Sequence, residues 1–487
     1  MKAQYIIALM FALVLGASTH IVYNNPETLR NYYFSLSQSC TLEREYCITL
    51  LSPLKALSDT AFEIKRKNIS LEKLPILRIY MSDGALRKIQ KKKTSTLNEK
   101  GRILLNEDDD WVKATLLADD GKGARKARAQ IRLKGDWADH LQDSQRLSFR
   151  IKLRNNDQIF GLSKFSIQAP NTRDNHTEPL FLDMMRMVNV LAPRYYFVDV
   201  RINDMKIGIM ALEEHFTKTL IESQGGREGP IIAVDEDLIW RQRHLNVLSN
   251  QSGLHYAYRD YPIKVFKAGK FSPGTIRTQH NMRAMSLLRD FMDGLLPANE
   301  VFDADKTSRW WIISNIWHGL HGAVTHNVRF YFNPITGLLE PISFDSGADP
   351  RKKEKLINSI ATRALISDIN FRQVALENLK QITDIITSDE FKEDFNHRQQ
   401  EYMETLAIDG YKLHKFSADE MRLNHSDFIR KVEKKFTRPA KETASDESNE
   451  KKVRAADPVK PIYILKHNGQ LYTHLRSSVF WYPDHAE

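Results

Sequence analysis

Cysteine is nearly absent from this chain: its 487 residues contain two, Cys40 and Cys47. At most one intrachain disulfide is therefore available. If the intervening segment is helical, the two Cα atoms stand about 10 Å apart, beyond disulfide reach; in another conformation an oxidising compartment would permit the bond. No internal repeat is found. Basic residues are in excess, with net charge +10 and a pI near 9.2, but they are spread along the chain and form no nucleic-acid signature. A phosphate ligand or an acidic membrane surface fits that balance, and a nucleic-acid partner is not expected. What is present is a 42% apolar composition with 10% aromatics, enough for a sizeable core. The length allows about two to four domains.

Long apolar runs are also missing, with one exception. Lys2 precedes an apolar run from Tyr5 to Ala17, followed by Ser18, Thr19 and His20. Gly16 and Ser18 fit a signal-peptidase site, whereas the window Ala3 to Tyr23 just reaches the roughly 20 residues of a membrane helix. A retained signal anchor is the favoured reading, and either reading puts the remainder outside the cytoplasm, in the periplasm or cell envelope.

Residues 24–75 read as a helical spacer, and β-rich sequence follows. Ile76 to Tyr80 is a strand, and Asp83-Gly84 opens a basic helix. Trp111 to Leu117 and Ala127 to Lys134 flank a turn at Asp119 to Gly123. In the second of these strands Ala127, Ala129, Ile131 and Leu133 alternate with Arg128, Gln130, Arg132 and Lys134. Leu147 to Leu153 repeats the pattern, with Arg150 and Lys152 on its polar face. Alternation of this kind marks strands with one buried face. Two adjacent cationic columns repel unless solvent or a bound anion neutralises them, so a solvated face and a phosphate-facing sheet are the two readings.

Thr177 to Val190 reads as an amphipathic helix. Tyr195 to Ile202 and Lys206 to Leu212 form a hairpin that delivers Glu213 and Glu214 to the start of a helix from His215 to Ser223. Beyond residue 224 the pattern is helical, and Met282, Met285, Leu288, Met292 and Leu295 recur at helical spacing as a core stripe. Residues 351–435 are helical. Residues 434–460 are rich in Lys, Glu, Asp, Ser and Ala and form a linker, and the tail 461–487 holds one strand pair.

The most informative stretch is Asn315 to Gly347. A helix end and a polar loop lead to strands His326 to Phe332 and Leu338 to Phe344, joined by the turn Asn333-Pro334-Ile335-Thr336-Gly337. The hairpin returns Asp345 towards Asn327. An amide and a carboxylate at one open end suit a hard divalent cation.

These pieces, in the order IRLKGDWADH (131–140), RLSFRIKLRNNDQIFGLSKFSIQ (146–168), VDVRINDMKIGIMALEEHF (198–216) and HNVRFYFNPITGLLEPISFD (326–345), resemble the CotH kinase family. The resemblance covers residues 76 to about 350, with a helical continuation to about 435. It implies an α+β, divergent two-lobed protein-kinase-like fold with a β-rich N-lobe (76–215) and an α-rich C-lobe (216–435). It also implies ATP and Mg²⁺ or Mn²⁺ as cofactors. Carried over by position, Lys152 would be the phosphate lysine, with Lys134 second to it and Arg150 beside them. Glu213 would pair with that lysine, Glu214 being the adjacent candidate, and Asn327 and Asp345 would hold the metal. The family places an aspartate before the Asn-bearing strand as base; here the loop carries His318, His321 and His326 and no aspartate. His318 or His321 as base, a pseudokinase, and a three-histidine zinc site completed by Asp345 are the readings of that departure. The expectation is an extracytoplasmic kinase phosphorylating a hydroxyl of an envelope protein or glycan, the alternative a non-catalytic envelope-assembly or binding protein.

Overall fold

The computed structural model describes residues 74–436 apart from 138, 143–145, 156, 249–261, 267–273, 325, 353–364, 366–367 and 412, together with Pro53 and the ribbon 464–467 and 470–473. The apolar N-terminal run, Cys40, Cys47 and most of the linker fall outside the described residues. Among the described residues no helix is long and apolar enough to cross a membrane.

Helices and strands are mixed, and the N-terminal strands close a barrel. Strands β1 (Ile76–Tyr80), β2 (Val112–Asp119), β3 (Ala124–Leu133), β4 (Phe149–Leu153), β5 (Lys164–Gln168), β6 (Tyr195–Ile202) and β7 (Met205–Glu214) run in the order β1-β2-β3-β4-β5-β7-β6. Closure comes from parallel pairing of β1 with β6, Ile76 opposite Asp199. The alternation in β3 and β4 resolves as expected: Ala127, Ala129, Ile131, Leu133, Phe149, Ile151 and Leu153 enter one core with Leu77, Ile79, Leu116, Phe165 and Val200. Each of the larger side chains among them contributes about 1.5–3 kcal/mol by leaving water, which fixes the register and sends the cations outward. Helix α1 (Asp83–Asn98), N-capped by Ser82, packs on the barrel through buried Ile89.

The second half is helical around a small sheet. Strands β8 (Ile231–Val234), β9 (Ile263–Val265), β10 (Arg329–Phe332) and β11 (Leu339–Ile342) pair in the order β11-β10-β8-β9. The first two of these were not expected; at four and three residues they are too short for a period to show. Helices α2 (Thr177–Met187), α3 (Glu236–Leu248), α4 (Ile276–Met292), α5 (Ala304–Ile316), α6 (Ile369–Thr387), α7 (Asp389–Ala407) and α8 (Ala418–Phe436) complete it. All but α3 build a core around Trp311, Trp317, Phe371 and Phe395. The core stripe expected on α4 holds in part: Leu288 is buried, and Met285 and Met292 pack against the core beside Ala284 and Leu287, but Met282 and Leu295 are 59% and 72% exposed. The helix expected from His215 shrinks to Lys218–Glu222, because β7 runs on to Glu214. In the tail β12 (Ile464–His467) pairs with β13 (Gln470–Thr473).

The two halves are joined by buried polar contacts. Arg146, just before β4, donates to Asp409 at 2.7 Å and to the Tyr411 hydroxyl at 2.7 Å, and Asp409 also accepts from the backbone N–H of Ile209. These ties hold the end of the barrel against the helices, and a cavity lies where they meet.

Candidate functional site

The cavity has a volume of about 810 Å³, within the range of about 300–1,000 Å³ usual for small-molecule sites. Its barrel side is the point where the chain leaves β3. Lys134 is 6% exposed, and its Nζ donates to Glu213 of β7 at 2.5 Å and to Gln168 at the end of β5 at 2.6 Å. Burial pushes the ammonium down to about 8, with Glu213 opposing that fall. Gly135 follows with φ +107°, and a Cβ there would stand 2.2 Å from the His140 ring. His140 is buried, held neutral mainly by burial, and shares a hydrogen bond with Ser148 at 2.9 Å, while the Ser148 carbonyl accepts from the Lys134 amide at 2.8 Å. The ring thus backs the loop that presents Lys134. Arg150 of β4 also lines the cavity and contacts the His215 ring.

Asp345 leaves the end of β11 in a left-handed conformation, φ +51°, and Gly347 follows at φ +56°. A non-glycine residue there costs on the order of 1 kcal/mol. The turn is secured from beneath: Glu178, buried in the first turn of α2, accepts from the Ser346 hydroxyl at 2.5 Å and from its amide. Burial, and then the charge of Asp345, raises the Glu178 carboxyl to about 7. Gly322 leaves room for the same turn, since a Cβ there would meet the Phe344 carbonyl at 2.9 Å.

Arg173 joins the two sides. It ends a 3₁₀ turn, Pro170–Arg173, after β5; its Nη1 meets Asp345 at 2.8 Å and its Nε lies 4.0 Å from Glu213. His321 Nε2 approaches the other Asp345 oxygen at 3.4 Å. Burial alone would raise the Asp345 carboxyl, but Arg173 and His321 more than offset it and hold it well below the usual range. Reciprocally, the hydrogen bond to Asp345 raises His321. The Asn327 amide donates to the His321 carbonyl at 3.0 Å, which leaves its oxygen as the ligand end.

The opposite wall is acidic and aromatic. Asp136 and Glu236 line it with Trp137 and Trp240, whose rings meet edge-on at 5.1 Å, and Arg243 lies 4.2 Å over Trp137. Burial, then Glu236 and Asp237, raises Asp136 to about 7.

Of the residues singled out from sequence, Lys134, Arg150, His321, His326, Asn327 and Asp345 line this cavity, and Glu213 is bonded to Lys134. Three are not brought in. Lys152, ranked ahead of Lys134, is exposed on the barrel exterior, opposite Gln130 and Lys164 in the sheet. His318 is not among the lining residues; it sits in a left-handed turn at φ +51° after α5. Glu214, the alternative to Glu213, is bound to Arg194 at 2.8 Å instead. Among the described residues no group of three or more His, Cys, Asp or Glu is arranged to hold a metal, which removes the basis of a three-histidine zinc site. A hard cation that draws most of its ligands from phosphates and water asks less of the protein, and a carboxylate and an amide oxygen fit it. Arg173, Gln168 and Glu178 were missed; PNTR is a single turn with no period, and Glu178 reads as an ordinary helix-start acid.

A mixed α/β chain with a closed barrel, and an alternating file of buried charges where barrel meets helices, is thus the class defined by fold and cavity. The family model described as CotH kinase protein matches residues 131–447, so the chain belongs to the CotH kinase family. Membership implies kinase chemistry, with ATP as phosphoryl donor and a divalent metal. Among solved structures, the chain is similar to the crystal structure of a Helicobacter pylori proinflammatory kinase, CtkA. That match has 10% identity, covers 57% of this chain and 91% of that one, and gives a TM-score of 0.20. No curated protein matches.

Proposed function

We propose that this protein is an extracytoplasmic, two-lobed kinase that transfers phosphoryl from ATP to a hydroxyl of an envelope protein or glycan. The observation that carries the reading is the buried Lys134–Glu213 pair at 2.5 Å, linked through Arg173 to Asp345 in one cavity. Kinases use a lysine–glutamate pair to set the cation on the phosphates, and an aspartate and an asparagine to hold metal. In this reading Lys134, not Lys152, meets the phosphates, and Glu213 orients it. Asn327 and Asp345 would hold Mg²⁺ or Mn²⁺, which supplies charge neutralisation between phosphates. His321, with Nε2 towards Asp345 at 3.4 Å, would serve as the base for the acceptor hydroxyl and take the proton on Nδ1. The apolar run Tyr5 to Ala17 supports the location.

Full-length protein incubated with γ-labelled ATP and Mn²⁺ should transfer label to itself or to envelope extract, and Lys134→Met and Asp345→Asn should each abolish transfer. Label transfer that survives both substitutions would overturn the assignment. Two observations favour a non-catalytic reading: the loop from Trp317 to His326 carries no aspartate, and Arg173 engages the Asp345 carboxylate. ATP binding without transfer to any acceptor would select it. A reporter active only in the cytoplasm, fused after Glu487, should be silent; strong reporter activity would refute the location.

A further inference from the structure

We propose that Arg173 is a phosphate-binding residue that exchanges between two anions, the Asp345 carboxylate without nucleotide and the nucleotide phosphates with it. This rests on the nucleotide reading above, which uses Arg173 as a link between carboxylates and assigns it no contact with nucleotide. Three features carry it. The guanidinium lines the cavity together with Lys134 and Arg150. Its donors are underused: Nη1 meets Asp345 at 2.8 Å, while Nε is buried with no hydrogen-bond partner, 4.0 Å from Glu213. Its backbone is fixed, between Pro170 and the left-handed pair Asp174 and Asn175 at φ +51° and +58°, so only the side chain has to move.

An arginine fork matches phosphate as well as carboxylate geometry, and a nucleotide's phosphates would bring several anionic oxygens within reach of those donors. While Arg173 occupies Asp345, a cation must compete with a guanidinium for the same oxygen. Phosphate that draws Arg173 away releases that oxygen. Nucleotide and divalent metal are then positively coupled, and by linkage each must strengthen the other equally. Such coupling would keep the protein from loading metal alone.

The test compares full-length parent and Arg173→Gln, both checked for folding by circular dichroism. Mn²⁺ alone is titrated by electron paramagnetic resonance, and ATP in excess EDTA by calorimetry. The substitution should tighten Mn²⁺ binding threefold or more and weaken metal-free ATP binding threefold or more. A smaller change in either quantity overturns the exchange. If Arg173→Gln does not fold, Arg173→Lys replaces it: a point charge should still hold Asp345, leaving Mn²⁺ affinity within threefold of the parent while ATP weakens threefold or more. Any other pair of results with that variant also overturns it. A parent that binds no ATP even with Mn²⁺ present defeats the kinase reading as well; a parent that binds ATP and Mn²⁺, with variants that match it, defeats this inference alone.

Discussion

The two ends of β3 and β4 carry the same chemistry and have opposite surroundings. Towards one end Arg128, Lys152 and Arg154 are exposed; towards the other Arg132 and Arg150 lie opposite one another and line the cavity, with Lys134 just beyond. All six lie on the strand face turned away from the barrel core. Alternation therefore tells which face of a strand is polar, but not which stretch of that face another part of the chain will cover. At the exposed end a charge gains little, since two unit charges about 4 Å apart interact by about 1 kcal/mol in water. At the covered end burial drags Lys134 down to about 8, with Glu213 opposing the fall. A cation already stripped of water pays less when it meets a phosphate.

The comparison breaks most visibly if the two lysines exchange importance. Lys134→Met should lower ATP affinity about 100-fold, roughly 2.7 kcal/mol, whereas Lys152→Met should stay within twofold. Calorimetry on both folded variants decides it. A hundredfold loss from Lys152→Met with Lys134→Met unaffected would restore the ranking read from sequence.

That ranking shows where legibility stopped. The strands of the barrel, the Asn333–Gly337 turn and the return of Asp345 towards Asn327 all follow from local patterns: period two, proline and glycine in a turn, a hairpin that brings its two ends back together. Gly337 takes φ +74° and donates to the Asn333 carbonyl, as such a turn requires. Closure through β1 and β6 was not legible, because it joins strands more than a hundred residues apart in parallel and leaves no mark on either. Helix α4 was legible in part: the stripe runs correctly through Met285, Leu288 and Met292, but spacing alone also takes in Met282 and Leu295, which the fold leaves exposed, and passes over Ala284 and Leu287. Arg173 lies in a turn, where no period exists to be read.

The loop behind Lys134 should be the next most sensitive point. Gly135→Ala forces a Cβ into the His140 ring at 2.2 Å with φ at +107°. Collision with a buried side chain and left-handed strain together should cost about 2–4 kcal/mol. The measurement is denaturant unfolding, and a loss below about 1 kcal/mol would mean that His140 yields and does not define the loop. The equivalent change at exposed Gly123, where a Cβ meets nothing, isolates the backbone contribution.

Buried and exposed ionisable groups can also be separated by pH in the helical half. His425 of α8 is 2% exposed, bonded to Thr383 at 2.7 Å, and burial lowers it from 6.5 to about 4. Between those values the unfolded chain binds more protons, so stability rises with pH. The contribution is full above about 6.5 and is lost as pH falls towards 4. At pH 5 the loss should be about 2 kcal/mol relative to neutral pH. His425→Gln, which cannot titrate, should show a correspondingly flatter stability profile between pH 7 and 5. Parallel profiles for the two proteins would mean that His425 takes up its proton without disturbing the core.

The smallest effect belongs to the exposed end of the strands, and its sign is what matters. Lys152 lies directly opposite Lys164 on β5 and opposite Gln130 on β3. Like charges facing each other across strands repel, by roughly 0.2–1 kcal/mol, and solvent and salt screen most of that. Lys152→Glu replaces repulsion by attraction while leaving the inward neighbours Ile151 and Leu153 untouched. Stability should therefore rise by a few tenths of a kcal/mol at low ionic strength, and the gain should shrink at about 1 M salt, where the Debye length is about 3 Å. ATP affinity should remain within twofold, because the charge stands outside the cavity. A loss of stability that persists at high salt would show that Lys152 is held by packing of its aliphatic stem. A fall in ATP affinity beyond tenfold would show that the cationic column works as one field from the exterior to Lys134, and the division drawn between the two ends would fail.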